Sequence, residues 1–166
     1  MCLRAYVIDK KGAIMSYQPS FLKRAGRLLP AIVFAATLGV AHAEESSLIR
    51  VVNDPNIAWG PCPAFLGDGC RLAVVHGDPA KPNSDVFFKV PGDYEIPNHW
   101  HTSPERIVLL TGKMTVTYEG EKSGSLYPGR YAYGPAKKPH KAYCHKGDAC
   151  ILFIAFEDPV DAFEIK

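Results

Sequence analysis

The chain has 166 residues, with 19 basic and 17 acidic side chains, a formal charge of +2 and 47% hydrophobic residues. Six of the basic residues and one of the acidic ones fall in the first 43, so the remaining 123 residues carry 13 against 16, a charge of −3. A stretch of that length suits one domain with one core, and its weak negative balance offers no electrostatic argument for a nucleic acid or an anionic membrane as partner.

The first segment reads as a leader. Met15 to Ala43 places Lys23, Arg24 and Arg27 ahead of the apolar run Leu28 to Val40, followed by the small-residue site Ala41-His42-Ala43. That is the order of a secretory signal peptide. The run is shorter than the ~20 residues a membrane span needs, so no stable membrane anchor is expected. Residues 1–14 lack an apolar period, and Met15 is the expected translation start. The mature protein should begin near Glu44 and reside in the periplasm or outside the cell.

Export changes how the cysteines read. Cys62, Cys70, Cys144 and Cys150 follow the leader, an even number in an oxidising compartment. Of the three pairings, the local one, Cys62 with Cys70 and Cys144 with Cys150, is favoured, since the second pair flanks a Lys-Gly turn and could face across a hairpin. Closing loops this short stabilises by roughly 2–3 kcal/mol each in the chain-entropy view. A thiolate metal or redox site is the alternative, but neither pair has C-x-x-C spacing.

Beyond residue 44 no helix-length amphipathic pattern occurs. Short β-branched and aromatic runs predict strands at Ser47–Val52, Arg71–His76, Asp85–Val90, Arg106–Leu110, Lys113–Glu119, Arg130–Gly134, Cys150–Phe156 and Asp161–Ile165. Turn clusters such as "GDPAKPNS", "GEKSG" and "EDP" separate them. Many short strands at close spacing predict an all-β sandwich or barrel. Met114, Val116 and Tyr118 share one strand face, as a half-buried strand requires, whereas "ILFIAF" is apolar throughout and suits a strand covered on both sides.

The chemistry gathers in "NHWHTSPE", residues 98–105. Residues two apart on a strand point to one face, so His99 and His101 aim together and Trp100 the opposite way. Such a pair alone is more often structural or solvated than ligating. Glu105 follows Pro104, where the chain can turn back toward the same spot, and downstream "PGRYAYGPAKKPH" ends on His140.

Gly92, six residues, His99, one residue, His101, three residues, Glu105, six residues and Gly112 resembles the first motif of the cupin superfamily; Gly129, five residues, Pro135 and His140 five positions on resembles the second. The likeness spans about residues 85–156, and "WGP…GDPAKP" before it is similar to small exported bacterial cupins. Two positions depart from the pattern: Lys137 stands where the second motif usually has glycine, and Cys144 where many cupins have asparagine. The first is a turn position, so strain from a positive φ is expected there. The resemblance implies a jelly-roll barrel over 85–166, an arm with the first strands over 44–84, and a divalent transition metal held by His99, His101, Glu105 and His140. Such a donor set leaves one or two positions open and suits Fe, Mn, Ni, Cu or catalytic Zn better than a closed structural zinc. An acceptor for the second nitrogen of each histidine is required but not visible in the sequence.

Other residues carry less. Trp100 is expected to pack between sheets or against a second copy in a homodimer, and Tyr94, Tyr131, Tyr133 and Tyr143 to fill the core rather than to contact a ligand. Lys137, Lys138 and Lys141 read as a solvated loop before a steering patch for an anionic substrate; His76 and His145 read as surface or turn residues. The implied function is a metalloenzyme acting on a small molecule, most plausibly an O2-dependent dioxygenase. The alternative is a metal-dependent sensor without turnover, resembling the cupin part of zinc-binding anti-sigma factors. A metal-free structural barrel would make all four ligand candidates coincidence.

Overall fold

A computed structural model describes residues 45–166 and, as a unit of its own, the antiparallel two-residue strands β1 (Val7–Ile8) and β2 (Ile14–Met15). The expected leader, apart from Met15, lies outside the described residues. Among those described, no helix is long and apolar enough to cross a membrane.

The second unit is built of strands and one turn of 3-10 helix, Ala64–Leu66. In chain order the strands are β3 (Gly60–Pro61), β4 (Arg71–His76), β5 (Ser84–Val90), β6 (Tyr94–Trp100), β7 (Glu105–Thr111), β8 (Met114–Tyr118), β9 (Gly124–Leu126), β10 (Tyr131–Gly134), β11 (His140–Cys144), β12 (Cys150–Phe156) and β13 (Phe163–Glu164). They form a six-stranded sheet, β10-β7-β12-β5-β4-β3, and a five-stranded sheet, β13-β6-β11-β8-β9, with antiparallel pairing throughout. From β5 to β8 and again from β9 to β13 consecutive strands alternate between the sheets, the winding of a jelly-roll barrel.

The core lies between the two inner faces. Val86, Phe88 and Val90 of β5 and Leu152, Ile154 and Phe156 of β12 meet Ile96 of β6, Met114, Val116 and Tyr118 of β8 and Ala142 of β11. The period-two reading of β8 holds, with Met114, Val116 and Tyr118 all buried. β12 is central in its sheet, between β7 and β5. Its outward Phe153 lies edge-on to Phe87, which in turn stacks against Trp59 from the arm. That outer cover explains the absence of alternation in "ILFIAF".

Ser47–Val52 is no strand: it runs without ladder partners and ends in a turn closed by Asp54 N–H donating to the Val51 carbonyl. Leu48, Ile49 and Val51 of this run stay exposed. Both local disulfides are present, with Cα atoms 5.5 Å apart at Cys62–Cys70 and 5.9 Å apart at Cys144–Cys150. The second joins the end of β11 to the start of β12. Cys144 thus serves as a covalent staple where an asparagine was expected. Both bridges fit an oxidising compartment.

A further departure falls on β6, which contains Pro97. Proline cannot donate to a ladder. The β6–β11 register accommodates it by a shift: His140 faces His99 and Ala142 faces Ile96, so the irregularity spans Pro97 and Asn98. A bulge of this kind re-aims the side chains beside it. Here the neighbour is His99.

Candidate metal centre

His99 is the last residue but one of β6, His101 follows the end of that strand, His140 opens β11 and Glu105 opens β7, so both sheets contribute. All four side chains are buried, Glu105 at 4% exposure and the histidines at 5–8%. One ligand nitrogen from each histidine lies within 4.8 Å of the other two. Glu105 is close to two of them, its Oε1 3.4 Å from His101 Nε2 and its Oε2 3.4 Å from His140 Nε2. The turn at Pro104 therefore brings the carboxylate back as the sequence suggested. Trp100, opposite, stacks on Phe163 of β13 at 4.5 Å between ring centres.

The acceptors missing from the sequence are backbone carbonyls. His99 Nδ1 bonds the Pro97 carbonyl at 2.7 Å, His140 Nδ1 the Lys138 carbonyl at 3.1 Å, and His101 Nδ1 the Asp161 carbonyl. A carbonyl accepts only, so each Nδ1 must donate and each neutral ring must present a bare lone pair at Nε2. The ring orientations are thus set in advance of any ligand. Burial, helped by the neighbouring charge of His140, lowers the His99 pKa from 6.5 to about 3. Burial also lowers that of His140, against the pull of the Glu105 carboxylate. Both rings are neutral near pH 7, as metal ligands must be.

The arrangement is electrostatically incomplete by itself. Nε2 lone pairs face carboxylate oxygens across 3.4 Å with no hydrogen to share, and Glu105 Oε2 is buried without a hydrogen-bond partner. Acceptors converging on acceptors in a dry site are costly unless a cation lies among them. Three imidazoles and one carboxylate fit a divalent transition metal in donor type and in number. These residues could hold such an ion.

Two groups behind the cluster escaped the sequence reading. Tyr118 also has a buried, unpartnered hydroxyl. Its phenol pKa is raised by burial first and then by the negative charge of Glu105. A Cβ placed on Gly134 would lie 2.8 Å from that hydroxyl and 3.0 Å from Glu105 Oε2, so the glycine keeps open the space these two oxygens share. Asp161 supplies its carbonyl to His101 while its carboxylate accepts from the Thr102 N–H at 2.8 Å and from the Thr102 hydroxyl. A signal for Tyr118 existed, since a tyrosine on the inward face of β8 needs a partner for its hydroxyl.

Beside the cluster lies a cavity of about 260 Å³. Its wall includes Pro61, Cys62 and Pro63 from the stapled arm and Leu66, whose carbonyl accepts from the Tyr94 hydroxyl at 2.5 Å. The motif lysines do not line it: Lys137 and Lys141 are exposed, and Lys138 pairs with Glu121. The solvated-loop reading holds for Lys137, whereas Lys138 is half-buried in its ion pair and Lys141 projects outward from β11. Lys137 adopts φ +60° and donates its N–H to the His101 carbonyl at 2.7 Å. The expected strain is present, and the turn that carries it also ties the two motifs together.

The tyrosine expectation needs correction. Tyr131 and Tyr133 are 59% and 52% exposed, because β10 is an edge strand whose odd positions point out of the barrel. Tyr143 also faces outward and donates its hydroxyl to Asp93 at 2.5 Å. Only Tyr94 packs against the core. His76 is exposed, and His145 sits just past β11, its Nε2 2.8 Å from the Thr115 hydroxyl.

Jelly-roll winding around an inward-facing histidine cluster defines a cupin barrel. The sequence profile of the family described as ChrR Cupin-like domain matches residues 49–159, and the chain belongs to that family. No curated protein matches the sequence. Among solved structures, the barrel is similar to a DMSP lyase from Ruegeria pomeroyi, at 16% identity and TM-score 0.57, covering 65% of this chain and 60% of that one. It is also similar to the polyketide cyclase RemF from Streptomyces resistomycificus, at 17% identity and TM-score 0.59, over 72% of this chain and 87% of that one. A cupin 2 conserved barrel protein from Rhodopseudomonas palustris matches at 13% identity and TM-score 0.56, over 67% and 79%. The chain spans less than two thirds of the DMSP lyase structures it matches. Identities this low speak for the fold alone.

Proposed function

We propose that the protein is an exported metal-binding cupin that takes a small molecule at the open face of a centre formed by His99, His101, Glu105 and His140. The observation that carries this is the convergence of three fixed imidazole lone pairs, with a buried, partnerless carboxylate oxygen 3.4 Å from the His140 nitrogen. A divalent metal bound there supplies a Lewis acid with one or two exchangeable positions. The chain's own residues do the rest: carbonyls hold the imidazoles in register, Glu105 contributes one negative charge, and the apolar cavity excludes water from the open face. No protein nucleophile is needed. A dioxygenase-type reaction fits this division of labour. Export rests on the leader pattern together with the two disulfides.

A second reading, a metal-dependent sensor without turnover, is favoured by one observation, the match to the ChrR cupin-like family. The deciding experiment measures metal in the protein purified from the periplasm without chelator, beside a His99→Ala/His101→Ala variant. Near-stoichiometric Fe, Mn, Ni or Cu, lost in the variant, supports the centre, and oxygen uptake with candidate substrates then separates enzyme from sensor. Equal metal in both proteins, or none in either, rejects it.

A further inference from the structure

The cavity beside the histidines has an unusual division of chemistry. Its polar lining consists of His99, His101, Glu105 and His140, which form one cluster, and Asp161, whose carboxylate is already engaged by Thr102. The rest is hydrocarbon or sulfur, represented by Leu66, Phe88, Met114, Leu126, Leu152 and Phe156. Among the described residues, no lysine, arginine, serine, threonine, asparagine, glutamine, tyrosine or tryptophan lines it. Recognition of a second polar group on a bound molecule would need a donor or counter-charge from that wall. None is there.

Size adds a bound. An apolar cavity of ~150 Å³ accommodates benzene. At about 260 Å³ this one has room for roughly one further ring or a chain of similar bulk. Apolar sites of this kind fix a ligand's orientation through few polar contacts, here all at one end.

Resting on the metal-centre reading above, we infer that the ligand is monofunctional: a hydrocarbon body of about ten heavy atoms bearing a single polar head that reaches the histidine cluster. Sugars, polyols, dicarboxylates and zwitterions that sit wholly within the cavity are disfavoured, because a second polar group there would be buried against hydrocarbon without a partner. The lysines are outside the cavity, and its hydrocarbon wall sets the choice.

The test uses matched pairs of equal length on the full purified protein. Calorimetry of the Co(II)-loaded protein compares octanoate with suberate. Calorimetry of the chelator-treated protein compares octan-1-ol with octane-1,8-diol. The visible absorption of Co(II) reports metal binding independently. The monofunctional member should bind at least ~100-fold tighter in the charged pair and at least ~10-fold tighter in the neutral pair. Ala162→Trp, which fills the cavity from a half-buried position, should weaken octanoate at least tenfold with the Co(II) spectrum retained. Suberate binding as tightly as octanoate, a diol matching the alcohol, or no binding of either monofunctional probe would overturn the inference. Loss of the Co(II) spectrum with the alcohol still preferred would remove the metal reading and leave the ligand class standing.

Discussion

His99/His101 at the end of β6 and Tyr131/Tyr133 on β10 are both pairs of ring-bearing residues at positions i and i+2. Their spacing is the same and their fates are opposite. The histidines are buried at the barrel end with a third histidine and a carboxylate, whereas the tyrosines face solvent. Period two states which residues share a face; it does not state which face is inside. β6 lies within its sheet, between β13 and β11, and is re-aimed by the bulge at Pro97, while β10 is an edge strand paired with β7 alone.

The largest expected contrast is in metal affinity. His140→Ala removes one of three imidazoles and leaves Glu105 facing a vacancy, so affinity should fall at least ~100-fold. Tyr133→Ala should leave it unchanged. Equilibrium dialysis with Co(II) measures both, with far-UV circular dichroism to verify that the β signal survives. Equal affinity in the two variants would remove His140 from the centre.

Next comes acid. The folded-state pKa values of His99 and His140 lie below the ordinary 6.5, so the unfolded chain takes up protons that the folded chain refuses. Stability contributed by the neutral rings is complete above pH 6.5 and is lost as pH falls, with the His99 share still declining toward pH 3. The slope is at most ~1.4 kcal/mol per pH unit for each ring. Urea midpoints of the metal-free protein at pH 7.5 and 4.5 read this directly. Removal of the exposed Tyr131 and Tyr133 rings should not alter the profile, whereas His99→Asn should flatten it.

Gly134→Ala joins the two regions, since β10 carries both the outward tyrosines and this inward glycine. The new methyl would press on the Tyr118 hydroxyl and Glu105 Oε2. Overpacking of this kind costs about 1–3 kcal/mol, and the displaced carboxylate should lower metal affinity about tenfold. Adding Tyr118→Phe to the variant removes one of the two obstructing oxygens and should restore part of the stability. Unchanged thermal midpoint and affinity would show that the space is not confined.

Strands with strong periodicity or unbroken hydrophobicity were legible: Arg71–His76 and Cys150–Phe156 match to the residue. So were the four candidates around the centre and both disulfides, because motif spacing and loop length are local quantities. Ser47–Val52 misled because β propensity without a partner edge makes no ladder. β11, "HKAYC", was hidden by Lys141 and by the lysines just before the strand, which read as a polar loop. The carbonyls of Pro97, Lys138 and Asp161 could not be seen at all. Every residue has a carbonyl, and only the bulge, the turn at Lys137 and the approach of the C-terminal segment decide which three are aimed at imidazoles.

The smallest expected effect tests the outer face. Tyr131→Ser/Tyr133→Ser removes two exposed rings on an edge strand, and surface changes of this kind usually stay within about ±0.5 kcal/mol. The thermal midpoint should move by no more than a few degrees and metal content should not move at all. Both rings lie in register with half-buried residues of β7, Tyr131 opposite Val108 and Tyr133 opposite Arg106. A concentration-dependent drop in midpoint would mean that a second copy covers this edge in solution, as the homodimer expectation would have it. The contrast between the two i, i+2 pairs would then be one between an intramolecular interior and an intermolecular one. A concentration-independent shift within the stated range keeps it a contrast between inside and outside.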